Sequence, residues 1–217
     1  MKFTEGYWLL SERTNGQFAS QAYHIEAMEN GLRVVAPTSP VLSRGDTLNR
    51  PTITIEFLAV SPEVISVRAW HYEGYRTGEA RFEKKETTCD AVVTITENEA
   101  VLDAGRVSVH VDRKNWGYSF WADGKLLTSS GFHNLGYVRW DKRVSSMLPQ
   151  DNYMKEHEYT PYMTQDLLLA PGENVYGFGE RFTAFVKNGQ AVETWNEDGG
   201  TASQVAYKNI PFYMTNR

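Results

Sequence analysis

The stretch T52-I-T-I-E-F-L-A-V60 decides the fold. Ile53, Ile55, Phe57 and Ala59 fall on one face, with Thr52, Thr54 and Glu56 opposite. That period of two, carried by β-branched and aromatic residues, is the pattern of a half-buried strand. Working outward, VISVRAWHY (64–72), AVVTIT (91–96) and RVSVHV (106–111) alternate in the same way. Asn30-Gly31 separates AYHIEAME from LRVVAP, and Asp123-Gly124 separates WGYSFWA from KLLTSS. Both dipeptides accept φ > 0 and match strand twist, so both predict tight hairpins. A helical stripe of ten or more residues is absent, and the best candidates, near 159–170 and 201–209, are short. The expected fold is all-β, an antiparallel β-sandwich or a related large antiparallel sheet.

Composition narrows the function. The chain has 217 residues, 41% apolar and 23% charged, enough for one substantial core and not a disordered composition. A net charge of −5 with no basic stripe argues against nucleic acid. Cys89 is the sole cysteine, so neither an intrachain disulfide nor a Cys-rich zinc site is expected. No apolar run approaches the ~18 residues of a membrane span, and the opening MKFTEGYWLLSERTNG lacks a secretory pattern. The reading is a cytoplasmic protein with no membrane partner and no cofactor.

Several motifs were weighed against plainer readings. Gly177 and Gly179 in YGFGERF (176–182) resemble a phosphate loop, but a third glycine and a following helix are missing. They are expected instead to let the backbone pass close to another element, with Glu180 and Arg181 paired near the crossing and Glu180 buried. KEHEY (155–159) has adjacent carboxylates and one His, which is poor metal-ligand spacing, and reads as a solvated loop. His24, His71, His110 and His133 stand singly with no Ser/Asp arrangement for a triad. Trp70, Trp116, Trp121 and Trp140 are expected in the core. The polar run 139–160 is expected to be an exposed connection.

TWNEDGGT (194–201) is the most suggestive loop. Glu197 and Asp198 are neighbours that extended backbone would point apart, so they do not make the paired carboxylates of a glycosidase. Asn196, Glu197 and Asp198 suit sugar hydroxyls over a Gly199-Gly200 turn, and an Asx turn capped by Asp198 explains the same residues without a ligand. The residues alone leave both readings open.

Residues 174–217 carry a resemblance. YGFGERF, KNGQ with ETWN, DGGT and AYKNIPFYMTN together resemble the N-terminal domain of glycoside hydrolase family 31, and within it the bacterial α-xylosidases. The resemblance covers about 40 residues nearly continuously and the earlier chain more loosely. It implies a sandwich similar to galactose mutarotase, spanning 1–217 and continuing past Arg217, which would then be a boundary and not a natural end. It also implies a (β/α)8 barrel, not contained here, whose two aspartates perform retaining hydrolysis of α-linked terminal xylose or glucose. The sequence by itself has no βαβα alternation of a barrel, and because the resemblance puts both catalytic aspartates in the barrel, it implies that this chain alone is inactive.

By the same resemblance, the 196–201 loop leans over the barrel mouth at the leaving-group subsite. Asp198 would accept sugar hydroxyls there, with Asn196 and Thr201 nearby. Glu197 stands where relatives often carry arginine, which changes the hydroxyls that can be bound. The implied partners are an α-linked oligosaccharide or xyloside, the barrel domain, and further copies in a homo-oligomer. Two other readings are a free-standing carbohydrate-binding module, which needs an exposed aromatic platform, and an aldose epimerase-like enzyme, which needs a His and Glu facing one concave sheet. No such His–Glu pair can be located from the pattern.

Overall fold

The alternation at 52–60 becomes the centre of a two-sheet core. The computed structural model describes residues 3–5, 9–48, 50–72, 74, 89–141, 159–197 and 203–217. In chain order the strands are β1 (Thr4–Glu5), β2 (Leu9–Leu10), β3 (Thr14–Phe18), β4 (His24–Met28), β5 (Gly31–Pro37), β6 (Thr52–Ser61), β7 (Val64–Trp70) and β8 (Val92–Ile95). They continue with β9 (Glu99–Asp103), β10 (Val107–Asp112), β11 (Gly117–Ala122), β12 (Lys125–Asp141), β13 (Tyr159–Leu167), β14 (Val175–Gly179) and β15 (Asn209–Thr215). Among the described residues the only helical element is a 3-10 turn at Arg44–Thr47. The segment near 159–170, a candidate helix by sequence, is strand over Tyr159–Leu167, because its pairing with β12 overrides a weak local signal.

Contacts divide the chain into two units, residues 12–168 and residues 1–11 with 169–217. In the first, β4-β5-β6-β7 form one antiparallel sheet. A second sheet runs β13-β12-β11-β10-β9-β8, with β3 added alongside β12. This is the antiparallel β-sandwich expected from the alternation. Its inner layer comes from both sheets: Leu32, Val34, Ile53, Ile55 and Phe57 face Leu102, Val109, Val111 and Leu135, all fully buried. Phe57 sits between the edges of Tyr118, 5.4 Å away, and Phe120, 6.2 Å away. Each large side chain removed from water there stabilises by about 1.5–3 kcal/mol. Glu56, on the other face of β6, is also buried, because the Arg33 guanidinium donates to it twice, at 2.8 and 2.7 Å.

The two hairpins form as expected, with one correction. Asp123 and Gly124 both have φ > 0 (50° and 73°) and close β11 onto β12. In the other, Met28 pairs with Gly31, so the turn residues are Glu29 and Asn30, and Gly31 already lies in β5. Gly31 is required for proximity: a Cβ there would strike the Phe57 carbonyl oxygen and the Leu58 side chain. The tryptophans also depart from expectation. None of Trp70, Trp116, Trp121 and Trp140 is fully buried, and of the four only Trp116 packs against the core cluster. Trp70 and Trp140 instead lie under the guanidinium groups of Arg68 and Arg13. Of the run 139–160, residues 139–141 finish β12 and 159–160 begin β13, while 142–158, including Glu156, His157 and Glu158, lie outside the described residues.

In the second unit, β1 pairs with β2 and β14 pairs with β15. Gly177 and Gly179 have φ of 117° and 86°, and a Cβ on Gly177 would come within 2.6 Å of the Phe212 carbonyl oxygen. On Gly179 it would overlap that of Lys208. The glycines therefore permit the close crossing of β14 and β15, as the sequence suggested. Between them Phe178 bulges out at φ 68° and stacks on Tyr213, 5.6 Å away.

Candidate functional site

The segment singled out by sequence belongs to the second unit, and residues 198–202, Asp198 and Thr201 among them, lie outside the described residues. The flanking residues 193–197 and 203–209 form a neck. The neck can be built residue by residue. Asn196 forms an isolated parallel bridge with Ala206, and the Glu197 N–H donates to the Ala206 carbonyl at 3.0 Å. Asn209, at the start of β15, ties the neck together. Its backbone N–H and its side-chain amide both donate to Asn196 Oδ1 at 3.0 Å. The same amide donates to the carbonyls of Trp195 (2.7 Å) and Ala206 (2.6 Å).

Arg181 completes the clasp. Its guanidinium donates to Asn209 Oδ1 and to the carbonyls of Glu193, Gln204 and Phe178. One planar fork with five fixed donors can hold several acceptors at once, which a lysine ammonium cannot. The strands on both sides of the loop are thus held together around Arg181 and Asn209. Asn196 spends its carbonyl oxygen on this framework, so its amide N–H groups are what remain to meet a ligand. Glu197 is exposed.

Neighbouring charges are structural. Glu180 is not buried as expected: its side chain is 53% exposed and pairs with Lys208 Nζ at 3.0 Å. Lys187, at 7% exposure, gives its ammonium to the Ala184 carbonyl (2.7 Å) and Thr183 Oγ1 (3.0 Å). Burial, with Arg181 nearby, holds its pKa below the usual lysine range.

A second arrangement escaped the sequence reading, which found no partners for the histidines. Ser108 Oγ lies 3.2 Å from His110 Nε2, and His110 Nδ1 lies 2.8 Å from Glu99 Oε1. The distances are those of a Ser-His-acid relay. However, Ser108 and His110 are two residues apart on β10, an interior strand flanked by β9 and β11. Its backbone N–H groups belong to the two ladders, so no pair of free donors is available to stabilise an oxyanion. The relay is a cross-strand polar ladder on a sheet face, invisible in sequence because it depends on register. Among the described residues no three His, Cys, Asp or Glu side chains gather in a metal-binding group, and no helix is long and apolar enough to cross a membrane.

The chain is similar to known proteins in sequence and in fold. Over 220 residues the chain is 38% identical to alpha-xylosidase XylQ of Lactiplantibacillus pentosus, covering 99% of this chain and 26% of that protein. It is 33% identical over 224 residues to an alpha-xylosidase of Emericella nidulans, covering 99% and 28% respectively. The chain therefore spans about a quarter of the length of these relatives. Among solved structures it is similar in fold to the cycloalternan-forming enzyme from Listeria monocytogenes (TM-score 0.64, 14% identity, 98% of this chain and 18% of that one). It is also similar in fold to the GH31 dextranase FjDex31A of Flavobacterium johnsoniae (TM-score 0.55, 18% identity, 93% and 21%). Residues 53–217 match the glycosyl hydrolase 31 N-terminal galactose mutarotase-like domain, and the chain belongs to that family.

Proposed function

We propose that this chain is the N-terminal domain of a retaining α-glycosidase of the α-xylosidase kind. In the whole protein a (β/α)8 barrel, supplied by other residues, hydrolyses α-linked terminal xylose or glucose. Two alpha-xylosidases aligned over 99% of the chain support the substrate class. Retention uses two carboxyl groups about 5–5.5 Å apart, one nucleophile and one acid/base, and this chain brings neither.

The observation that carries its role is the Arg181–Asn209 clasp, which fixes both sides of the 196–201 loop neck. In this reading the residues that follow the clasped neck contribute to the leaving-group subsite. Asp198 accepts sugar hydroxyls there, with the Asn196 amide, Glu197 and Thr201 beside it. Holding the leaving sugar in register matters because a misplacement of about 1 Å costs on the order of 100-fold in rate.

The second part of the role is docking. Ile210, Phe212 and Met214 occupy alternate positions of β15 and are 57%, 58% and 56% exposed. A two-stranded ribbon with such a face is marginal alone and gains stability by packing against another domain.

The experiment is Asp198→Ala in the full-length protein, assayed on a xylosyl disaccharide and on an aryl α-xyloside whose leaving group has no sugar hydroxyls. The expected outcome is a loss of about 10–100-fold in kcat/KM on the disaccharide, the worth of one or two charge-assisted hydrogen bonds, with under about twofold change on the aryl substrate. Equal losses on both, or no loss on the disaccharide, would overturn the subsite reading. The 217-residue chain assayed alone is expected to give no turnover, and robust turnover by it would overturn the domain reading.

A further inference from the structure

A different part of the chain holds a pocket with no role in that proposal. It lies within residues 12–168, has a volume of about 470 Å³, and is lined by Gln17, Thr38, Arg50, Trp116, His133 and Asn134 among others. That volume is in the range of small-molecule sites, roughly 300–1,000 Å³. Its walls come from β3, from the turn between β10 and β11, and from an interruption in β12.

The interruption is unusual. Ser130 pairs with Leu167 and Leu135 pairs with Gln165, so the four residues 131–134 of β12 stand opposite Asp166 alone. An ordinary bulge sets two residues against one. Two of the non-glycine residues with positive φ are on the pocket wall, Trp116 at 55° and His133 at 57°. Each such conformation is strained for a non-glycine residue and persists only where the surroundings enforce it.

Here they do enforce it. The Trp116 indole N–H donates to Asn134 Oδ1 at 2.9 Å, and Asn134 Nδ2 donates to Ser130 Oγ at 3.1 Å. That hydroxyl also accepts the Tyr118 N–H at 2.8 Å. The His133 ring stacks on Phe18 with 3.9 Å between centroids and 7° between planes. The strained wall is therefore locked by a hydrogen-bonded chain and a ring stack, which is how a preorganised site is built.

The chemistry of the lining indicates what it takes. Gln17 accepts from Thr38 through its amide oxygen, and its amide N–H groups have no partner among the described residues. Arg50 makes no ion pair among the described residues. Asn115 has given its own amide N–H to Asp112. No carboxylate is among the described lining residues, and Asp166, opposite the interruption, acts electrostatically on His133. Gln17 and Arg50 bring donors beside an indole. A ring rich in acceptor oxygens with an apolar C–H face is favoured. We infer that this pocket binds one saccharide unit, with Gln17 and Arg50 donating to its oxygens and Trp116 shaping its floor.

The site is independent of the leaving-group reading and survives its failure. The test is an NMR titration of the 217-residue chain with isoprimeverose, maltotriose and glucuronic acid in separate arms. Saturable shifts are expected at the Trp116 indole N–H, the Gln17 side-chain amide and the Asn134 amide for at least one probe. Gln17→Ala and Arg50→Ala, both outside the core, should each weaken that binding about fivefold or more, with the glucuronate arm the more sensitive to Arg50. Asp198→Ala should leave the titration unchanged. The proposal is overturned by the absence of saturable shifts with all three probes, by shifts confined to residues 169–217, or by binding indifferent to both variants. Trp116→Phe, checked by thermal melt, supplies a third variant, and unchanged affinity in a folded Trp116→Phe protein would remove the indole from the site.

Discussion

Residues 12–168 and residues 169–217 solve the same problem in opposite ways. The first unit buries Leu32, Ile53, Ile55, Phe57, Leu102, Val109 and Leu135 completely between two sheets. In the last 49 residues the only buried side chains among those described are Ala206 and Lys187, one small and one charged. Phe185, Trp195, Phe212 and Met214 are all more than half exposed. The first unit is held by apolar burial, which is non-directional and tolerant of detail. The second is held by a directional polar clasp around Arg181 and Asn209, with its apolar residues facing out. One region carries an apolar core of its own, and the other leaves its large apolar side chains exposed.

The comparison is tested most severely at Phe57. Phe57→Ala removes a fully buried ring that meets Tyr118 and Phe120 edge-on, and should lower stability by about 3–5 kcal/mol in urea unfolding. A loss below about 1 kcal/mol would mean that the sandwich core is not what holds this unit.

Tyr118 offers a second probe of the same core, read through pH. Burial pushes its phenol up to about 12, against a partial opposing effect from the Gln165 amide, which donates to it at 3.0 Å. The unfolded phenol ionises near 10, so between pH 10 and 12 the unfolded chain releases a proton that the folded chain retains. Stability from this group is complete below pH 10 and is lost as pH rises through 12, by about 2–3 kcal/mol at one pKa unit per 1.36 kcal/mol. Tyr118→Phe should flatten that part of the stability–pH curve. An unchanged curve would place the titration elsewhere.

Much of the sandwich was legible because period-two alternation is a local signal, and strands 52–61, 64–70 and 107–112 lie where it runs strongest. What was not legible depends on pairing between distant residues. The Ser108–His110–Glu99 relay needs the register of β9 on β10, and the pocket needs the four-against-one interruption at 131–134, set by how β12 pairs with β13. Gly31 was visible as a glycine but not as a strand residue pressed against β6. For the candidate site, the motif located the loop, but the clasp joins residues 181, 196, 206 and 209, and no spacing rule connects them. The exposed placement of Glu180 follows from its pairing with Lys208, again a distant partner.

A smaller effect separates the clasp from the core. Asn209→Ala removes the acceptor for Arg181 and the donors to Trp195, Ala206 and Asn196 at one stroke. Because the groups it leaves are largely reached by water, the expected loss is about 1–2 kcal/mol. Its signature should be local. Amide exchange should accelerate at residues 195–197 and 206–209, and limited proteolysis should cut within 197–206, while the exchange of β5, β6, β9 and β10 is unchanged. Simultaneous acceleration in both sets would show that the two units unfold together and would erase the contrast drawn above.

The smallest expected effect bears on the exposed face of β15. Phe212→Ser in the 217-residue chain should change stability by less than about 0.5 kcal/mol, since the ring is already 58% exposed. In the full-length protein the same substitution should destabilise by about 1–3 kcal/mol, because a ring covered by another domain loses its contacts when truncated. The difference between the two backgrounds measures how far the β15 face is covered, independently of any activity assay. Equal, near-zero effects in both would leave that face in water in the intact molecule, and the docking half of the proposed role would fall while the Asp198 half stood.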